Sequence, residues 1–149
     1  MVWGAFCERG KSNLSLLNGR QTAQHYIQTL KNELVPFSTE FYRQNYIFQQ
    51  DNASIHTAKK TKTWFNEQKI EVMDWPALSP DLNPIENLLG ILARRVYHNG
   101  RQFQQRDELV DAILKAWDEI DDEILKKLLS TMQQRCISAL EKKGATIKY

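Results

Sequence analysis

The stretch from Asp51 to Glu86 constrains the fold more than any other part of the sequence, because an acid lies at each end. Residues 46–50 are mostly aromatic or β-branched, so they predict a buried strand. Asp51 then lies at the C-terminal end of that strand, where open α/β sheets place their chemistry. Asn83 suits a helix N-cap and Pro84 a first helical position, which puts Glu86 in the first turn.

Asp51 and Glu86 have a functional and a structural interpretation. Two carboxylates, one from a strand end and one from a helix start, are able to share a divalent cation such as Mg²⁺, which prefers oxygen ligands. Alternatively, Asp51 and Asn52 form a turn. Glu86 would then complete a capping box by reaching back to the amide of Asn83. On spacing alone the structural alternatives are favoured.

Length, charge and cysteine content exclude several classes of protein. A chain of 149 residues predicts one domain with a substantial core, and a net charge of +2 does not by itself indicate nucleic-acid binding. Cys7 and Cys136 lack metal-ligand spacing and are interpreted as free thiols of an intracellular protein. No apolar run is long enough to span a bilayer, so no membrane role is predicted.

Hydrophobic periodicity predicts a mixed α/β chain in the order β-β-α-β-α-β-α-α-α. It predicts a mixed sheet flanked by helices, with a helical C-terminal part. The predicted elements are a β-hairpin over 2–18, a helix from Thr22 stopped by Pro36, a strand ending at Asp51, a helix over 57–68, a strand over 70–73, a helix from Pro84 to Asn99-Gly100, and helices over 106–118 and 121–142.

Basic residues gather in two places. His56 precedes a helix that begins with Lys59 and Lys60, and phosphate contact or a solvated face explains this group. The denser cluster allows either a nucleic-acid groove or a plain charged surface. It consists of Arg94, Arg95, His98, Arg101 and Arg106.

Several motifs together resemble one family. The chain is similar to the catalytic domain of mariner-type (Tc/mariner) transposases, which belong to the Asp-Asp-Glu superfamily of endonucleases and have an RNase H-like fold. In addition, 34 residues lie between Asp51 and Glu86, the separation expected of the branch that ends in Glu. The motifs are Val2-Trp3-Gly4, Gln50-Asp51-Asn52-Ala53 with His56, Asp74-Trp75-Pro76, and Ser79-Pro80-Asp81-Leu82-Asn83-Pro84-Ile85-Glu86-Asn87.

The resemblance implies a function and a site. Asp51 matches the second catalytic Asp of the family and Glu86 its third acid, and both would be metal ligands. The intact family site uses Mg²⁺ or Mn²⁺, with two ions expected, for phosphoryl transfer in DNA transposition and integration. Double-stranded DNA, as transposon ends and target, is the implied partner and the nucleus the implied location, with a homodimer left open. His56, Lys59, Lys60, Arg94, Arg95 and Arg101 are the predicted DNA contacts.

The resemblance covers residues 2–106, which predicts a partial RNase H-like catalytic domain over 1–106 and a C-terminal helical extension over 107–149 packed on it. The first catalytic Asp of the family lies on a strand upstream of the Val2-Trp3-Gly4 strand. We therefore expect an N-terminally truncated domain that lacks its first strand and is inactive as it stands. The alternative is a vestigial or domesticated DNA-binding or protein-interaction module without catalysis.

Overall fold

Short strands and many helices make up the computed structural model, which describes residues 1–42, 45–76 and 79–142. The strands pair two by two: β1 with β4 antiparallel, β2 with β3, and β5 with β6 parallel. The described part of the chain is therefore a mixed α/β structure, as predicted, and helices make up most of it. The strands are β1 (Val2–Trp3), β2 (Phe6–Cys7), β3 (Gly10–Lys11), β4 (Ser15–Leu16), β5 (Ile47–Phe48) and β6 (Glu71–Val72).

The helices follow the predicted order but are divided differently. Residues 143–149 of the predicted C-terminal extension and part of the predicted loops, 43–44 and 77–78, lie outside the described residues. The helices are α1 (Ala23–Thr29), α2 (Val35–Phe41), α3 (Ser54–Thr57), α4 (Lys59–Gln68), α5 (Pro84–Val96), α6 (Arg106–Asp118), α7 (Asp122–Ser130) and α8 (Met132–Glu141).

The chain divides into two compact units. The first comprises Met1–Ala5 with Lys11–Leu78, and the second comprises Phe6–Gly10 with Ser79–Tyr149. The predicted boundary after residue 106 stays a prediction. Within the described ranges, no helix combines the length and apolar character that crossing a membrane requires.

Apolar residues at helical spacing build the core of the first unit. Tyr26, Ile27 and Leu30 recur on one face of α1 and the turn after it, and all three are buried. Trp64 and Phe65 of α4 are buried too, and α1 packs against α4. The helical spacing seen in the sequence therefore identifies this core.

Pro36 does not stop the first helix, so this prediction is wrong. A π-helical segment, Leu30–Leu34, follows α1, and α2 then runs through Pro36. The amide of Val35 donates to the carbonyl of Leu30, five residues back. Proline is excluded from helix interiors because it lacks an N–H and clashes with the carbonyl four residues earlier. The wider π turn changes that register immediately before the proline.

The helix predicted over 57–68 is split at Ala58. Its ψ of 140° is extended, so α3 ends at Thr57 and α4 begins at Lys59. The hydroxyl of Thr61, which is buried, donates to the carbonyl of Ile55 at 2.7 Å. This bond gives one carbonyl of α3 a partner where the helix is interrupted.

The core of the second unit forms around α5. Leu88, Leu92 and Val96 recur every four residues on this helix and are buried. The helix packs against α6 and α7, which contribute the buried Trp117 and Leu125. The predicted start of α5 at Pro84 is confirmed.

The single helix predicted over 121–142 is two helices, α7 and α8, separated at Thr131. The Thr131 hydroxyl donates to the carbonyl of Leu128 at 2.7 Å, a local bond of the kind that bends helices. The side chains of α8 differ in exposure. Cys136, Ile137 and Leu140 are exposed, whereas Arg135 is buried.

Candidate active site

Asp51 lies on a loop in which the residues before and after it are both held by side-chain hydrogen bonds. Gln50 accepts a hydrogen bond from the Tyr26 hydroxyl through Oε1 at 2.6 Å. The side-chain amide of Asn52 donates to the carbonyl of Trp75 at 2.7 Å. The Asp51 side chain itself is 52% exposed. A carboxylate accessible to solvent therefore lies between two anchored neighbours.

One oxygen of the Asp51 carboxylate makes two contacts. Oδ1 accepts the amide N–H of Ala53 at 2.9 Å, which is an Asx turn, and lies 2.6 Å from Nδ1 of His56. The predicted turn is therefore present. It engages only Oδ1, because Oδ2 makes no hydrogen bond within the described ranges. A turn and a ligand role for Asp51 are compatible.

His56 faces Asp51 through Nδ1 and Tyr26 through its ring. Its side chain is only 18% exposed, and its ring centroid lies 4.2 Å from that of Tyr26 with the planes tilted by 36°. The predicted phosphate contact of His56 stays a prediction. In this structure the Nδ1 atom is directed to the acid.

Tyr26 is a residue whose part in the site the sequence analysis missed. It is 3% exposed, and burial raises the pKa of its phenol, with the charge of Asp51 adding to the rise and a hydrogen bond from Trp3 opposing it. The hydroxyl is therefore protonated in neutral solution and donates to Gln50. A tyrosine at a core position of an amphipathic helix is the available signal, since buried tyrosine hydroxyls require a partner.

Glu86 lies in the second unit, in the first turn of α5, and is exposed. The side chain of Asn83 does not cap this helix. The amide of Asn83 donates to the carbonyl of Pro80 at 3.0 Å instead of to Glu86. The capping-box alternative for Glu86 is therefore wrong.

Arg135 of α8 supports the start of α5 and was not identified from the sequence. It is 4% exposed, and its Nη1 atom donates to Oδ1 of Asn87 at 2.6 Å and to the carbonyl of Asp81 at 3.3 Å. Its Nε atom donates to the hydroxyl of Thr131 at 3.0 Å. The buried guanidinium therefore joins α8 to the turn before Glu86 and to the residue after it.

The predicted DNA-contacting lysines and arginines lie in both units and differ in exposure. Lys59 and Lys60 begin α4, are exposed, and line a depression of about 660 Å³ together with Lys31. In the second unit Arg94 is exposed, Arg95 half-buried, and the exposed Arg101 stacks on a neighbouring aromatic ring at 4.6 Å. Their role in DNA binding stays a prediction.

Asp51 belongs to the first unit and Glu86 to the second, and their joint use of a cation stays a prediction. Among the residues that the structure describes, no three His, Cys, Asp or Glu side chains form a metal-binding group.

Residues 1–110 match the family model described as DDE superfamily endonuclease. The chain belongs to the DDE superfamily of endonucleases. The match covers both Asp51 and Glu86 as well as the basic cluster after them. The recognition made from the motifs is therefore confirmed.

This DDE superfamily chain is similar to curated transposases. It is 41% identical over 149 residues to the Tc3 transposase of Caenorhabditis elegans and 32% identical to the Tcb2 transposase of Caenorhabditis briggsae. All of the chain is covered, with 45% and 54% of those relatives. The chain therefore spans about half the length of the relatives it matches.

Solved mariner transposases share the fold. The catalytic domain of Mos1 transposase, solved with raltegravir and Mg, gives a TM-score of 0.85 at 22% identity and covers 99% of this chain and 75% of that one. The Mos1 paired-end complex with Mn gives 0.86 at 23% identity and covers 99% and 44%. The predicted RNase H-like fold class is confirmed.

Proposed function

We propose that this chain contributes Asp51 and Glu86 to a metal-dependent site that cuts DNA at transposon ends and joins the ends to a target. The observation that carries the proposal is the exposed carboxylate of Asp51, whose two neighbours in the chain are held by hydrogen bonds. Asp51 also lies within the residues that match the DDE superfamily. The family match does not favour the alternative of a module without catalysis.

The donor atoms of the proposed site fit Mg²⁺ or Mn²⁺. Both side chains are exposed carboxylates, and hard divalent cations bind oxygen. Two ions are expected from the family, and when bound they would activate the attacking water and stabilise the leaving oxygen. Asp51 and Glu86 would supply negative charge, while Arg135 and His56 hold the segments that carry them.

The proposed partner is double-stranded DNA, as transposon ends and as target. The paired-end and pre-cleavage complexes of Mos1 are the precedent. Action on DNA implies the nucleus in a eukaryotic cell, and a homodimer is part of the same proposal.

The experiment that tests the function is a nicking assay on DNA that carries the ends of the element. The protein should be a longer form that includes the first catalytic Asp expected from the family and the parts of the relatives that this chain does not cover. Cleavage with Mn²⁺ or Mg²⁺, abolished by a chelator, is the expected result. Cleavage that persists in the chelator would contradict a metal-dependent site.

Charge reversal of Arg94, Arg95 and Arg101 together is expected to weaken binding of the chain to duplex DNA and flatten its salt dependence. Each phosphate contact contributes about 0.9 to the slope of log K against log salt, so three lost contacts lower the slope by up to roughly 2.7. Fluorescence anisotropy between about 50 and 200 mM salt measures this slope.

The matched control reverses three lysines of the same unit at exposed positions, Lys115, Lys127 and Lys142, and changes the net charge equally. Equal losses in the two triple variants would show that only total charge matters. The arginine cluster would then not be a DNA-binding surface.

A further inference from the structure

In the first unit a closed series of contacts joins Asp51, His56, Tyr26 and Gln50. The carboxylate of Asp51 meets His56 at 2.6 Å, and the His56 ring stacks on Tyr26. The Tyr26 hydroxyl donates to Gln50, which is the neighbour of Asp51 in the chain. The acid is thus connected to the buried face of α1 both through its side chain and through its backbone.

We infer that His56, held by Tyr26, is a positioning residue that fixes the Oδ1 atom of Asp51 and leaves Oδ2 as the oxygen that binds metal. The inference rests on the proposed function. The terminal torsion of an aspartate side chain is ordinarily broad. Here a rotation would break the bonds of Oδ1 to both His56 and Ala53.

The local backbone brings His56 to the acid. Ala53 donates its amide N–H to the Asp51 carboxylate and accepts the amide N–H of His56 at 2.8 Å. The single turn of α3 therefore folds residue 56 back over residue 51. Second-layer partners of this kind orient the residues that bind a metal, and their loss typically lowers metal affinity about 10–100-fold.

Tyr26 keeps the imidazole in place. Because burial raises the pKa of its phenol, the hydroxyl remains a donor to Gln50 in neutral solution. The tyrosine ring is therefore anchored at one edge by a hydrogen bond and offers its face to His56. The close contact between the two rings restricts the orientation of the imidazole.

The first test is nitrogen NMR of the histidine rings in the 149-residue chain without metal. The structure predicts that Nδ1 of His56 carries a proton, because it donates to a carboxylate. Asp51→Ala should shift this signal, while the exposed His25 is unchanged. A His56 ring protonated only at Nε2 would overturn the inference.

The second test measures Mn²⁺ affinity by electron paramagnetic resonance. His56→Ala is expected to weaken Mn²⁺ binding about 10-fold. His56→Asn should restore affinity to within about threefold of the original, because its amide carries an N–H donor on the same Cγ position. His25→Ala is the matched control on an exposed histidine of the same unit.

The outcomes separate the inference from the proposed function. Equal Mn²⁺ affinity in the original chain and in His56→Ala, with Asp51→Ala abolishing binding, would overturn the positioning role while the metal site stands. Protonated Nδ1 bound to Asp51 in a chain without Mn²⁺ affinity would support the positioning of the acid and contradict the metal site. Loss of Mn²⁺ affinity in both His56→Ala and His56→Asn would show that an N–H donor at this position is not sufficient. The hydrogen bond to Asp51 would then not explain the effect of His56.

Discussion

Asp51→Asn or Glu86→Gln, made in the longer form of the protein described above, is expected to lower DNA cleavage by at least about 1,000-fold, which corresponds to about 4 kcal/mol of activation free energy. Each amide has the shape of the acid but no charge with which to attract a cation. Loss of one preorganised electrostatic group commonly lowers the rate by about 10²–10³. Loss of a metal ligand should cost more, because the metal would act on both the attacking and the leaving oxygen.

The controls for this prediction make the same chemical changes elsewhere. Asp111→Asn on α6 and Glu40→Gln on α2 remove exposed charges and should retain full cleavage. Nicking of DNA with the element's ends under single-turnover conditions gives the rates. Activity within about tenfold of the original in either site variant would remove that residue from the site, because a tenfold change is only about 1.4 kcal/mol.

The same assay on the 149-residue chain alone is expected to show no cleavage above background with Mg²⁺ or Mn²⁺. The site proposed here contains two carboxylates from this chain, and the family resemblance requires a third. Cleavage by the 149 residues that disappears in Asp51→Asn would show that the two acids suffice, and the requirement for the third acid would be wrong.

The elements that the sequence predicted well are those with local signals at both ends. α5 begins at the predicted proline because Pro84 suits the first helical position. α6 spans Arg106–Asp118 as predicted from its apolar spacing. The carboxylate of Asp121 accepts the amide N–H of Ile124 at 2.9 Å and so caps the start of α7.

The features that the sequence analysis missed depend on contacts between distant residues. Tyr26 and Gln50 are 24 residues apart, and Arg135 and Asn87 are 48 apart. Periodicity places each residue on a face but does not identify its partner. The prediction for Pro36 is wrong for a local reason, because the π turn that accommodates the proline has no strong sequence signal.

The candidate acids illustrate the same limit. Spacing alone favoured a turn for Asp51 and a cap for Glu86, and only the joint motif indicated a site. The structure contains the turn at Asp51 and no cap at Glu86. Local propensity therefore described one acid correctly and the other incorrectly, because a helix start allows several arrangements that the sequence does not distinguish.

Arg135→Ala is expected to lower the free energy of unfolding by about 3 kcal/mol, the largest stability effect that we predict for a single residue. The substitution removes the donor that the half-buried Asn87 and Asp81 share, and loss of one partner of a desolvated polar group costs about 1–3 kcal/mol. It also removes the apolar stem of a side chain that is 4% exposed.

Urea unfolding of the 149-residue chain measures this loss. With a denaturant slope of about 2 kcal/mol per molar, the midpoint should fall by about 1.5 M. Gln134→Ala is the matched control, since it alters an exposed neighbour on α8 and should change the free energy by at most about 0.5 kcal/mol. Arg135→Met keeps much of the apolar stem but has no hydrogen-bond donor. It should therefore recover only the part of the unfolding free energy that comes from apolar packing.

Arg135 should also control the order of the segment that carries Glu86. Because its guanidinium joins α8 to the carbonyl of Asp81 and to Asn87, its loss should free the first turn of α5 before the rest of the helix. Hydrogen exchange should therefore accelerate at residues 86–88 more than at the buried Leu92 and Val96. Uniform acceleration along α5 would show that Arg135 supports the unit as a whole, and the specific support of the Glu86 turn would be wrong.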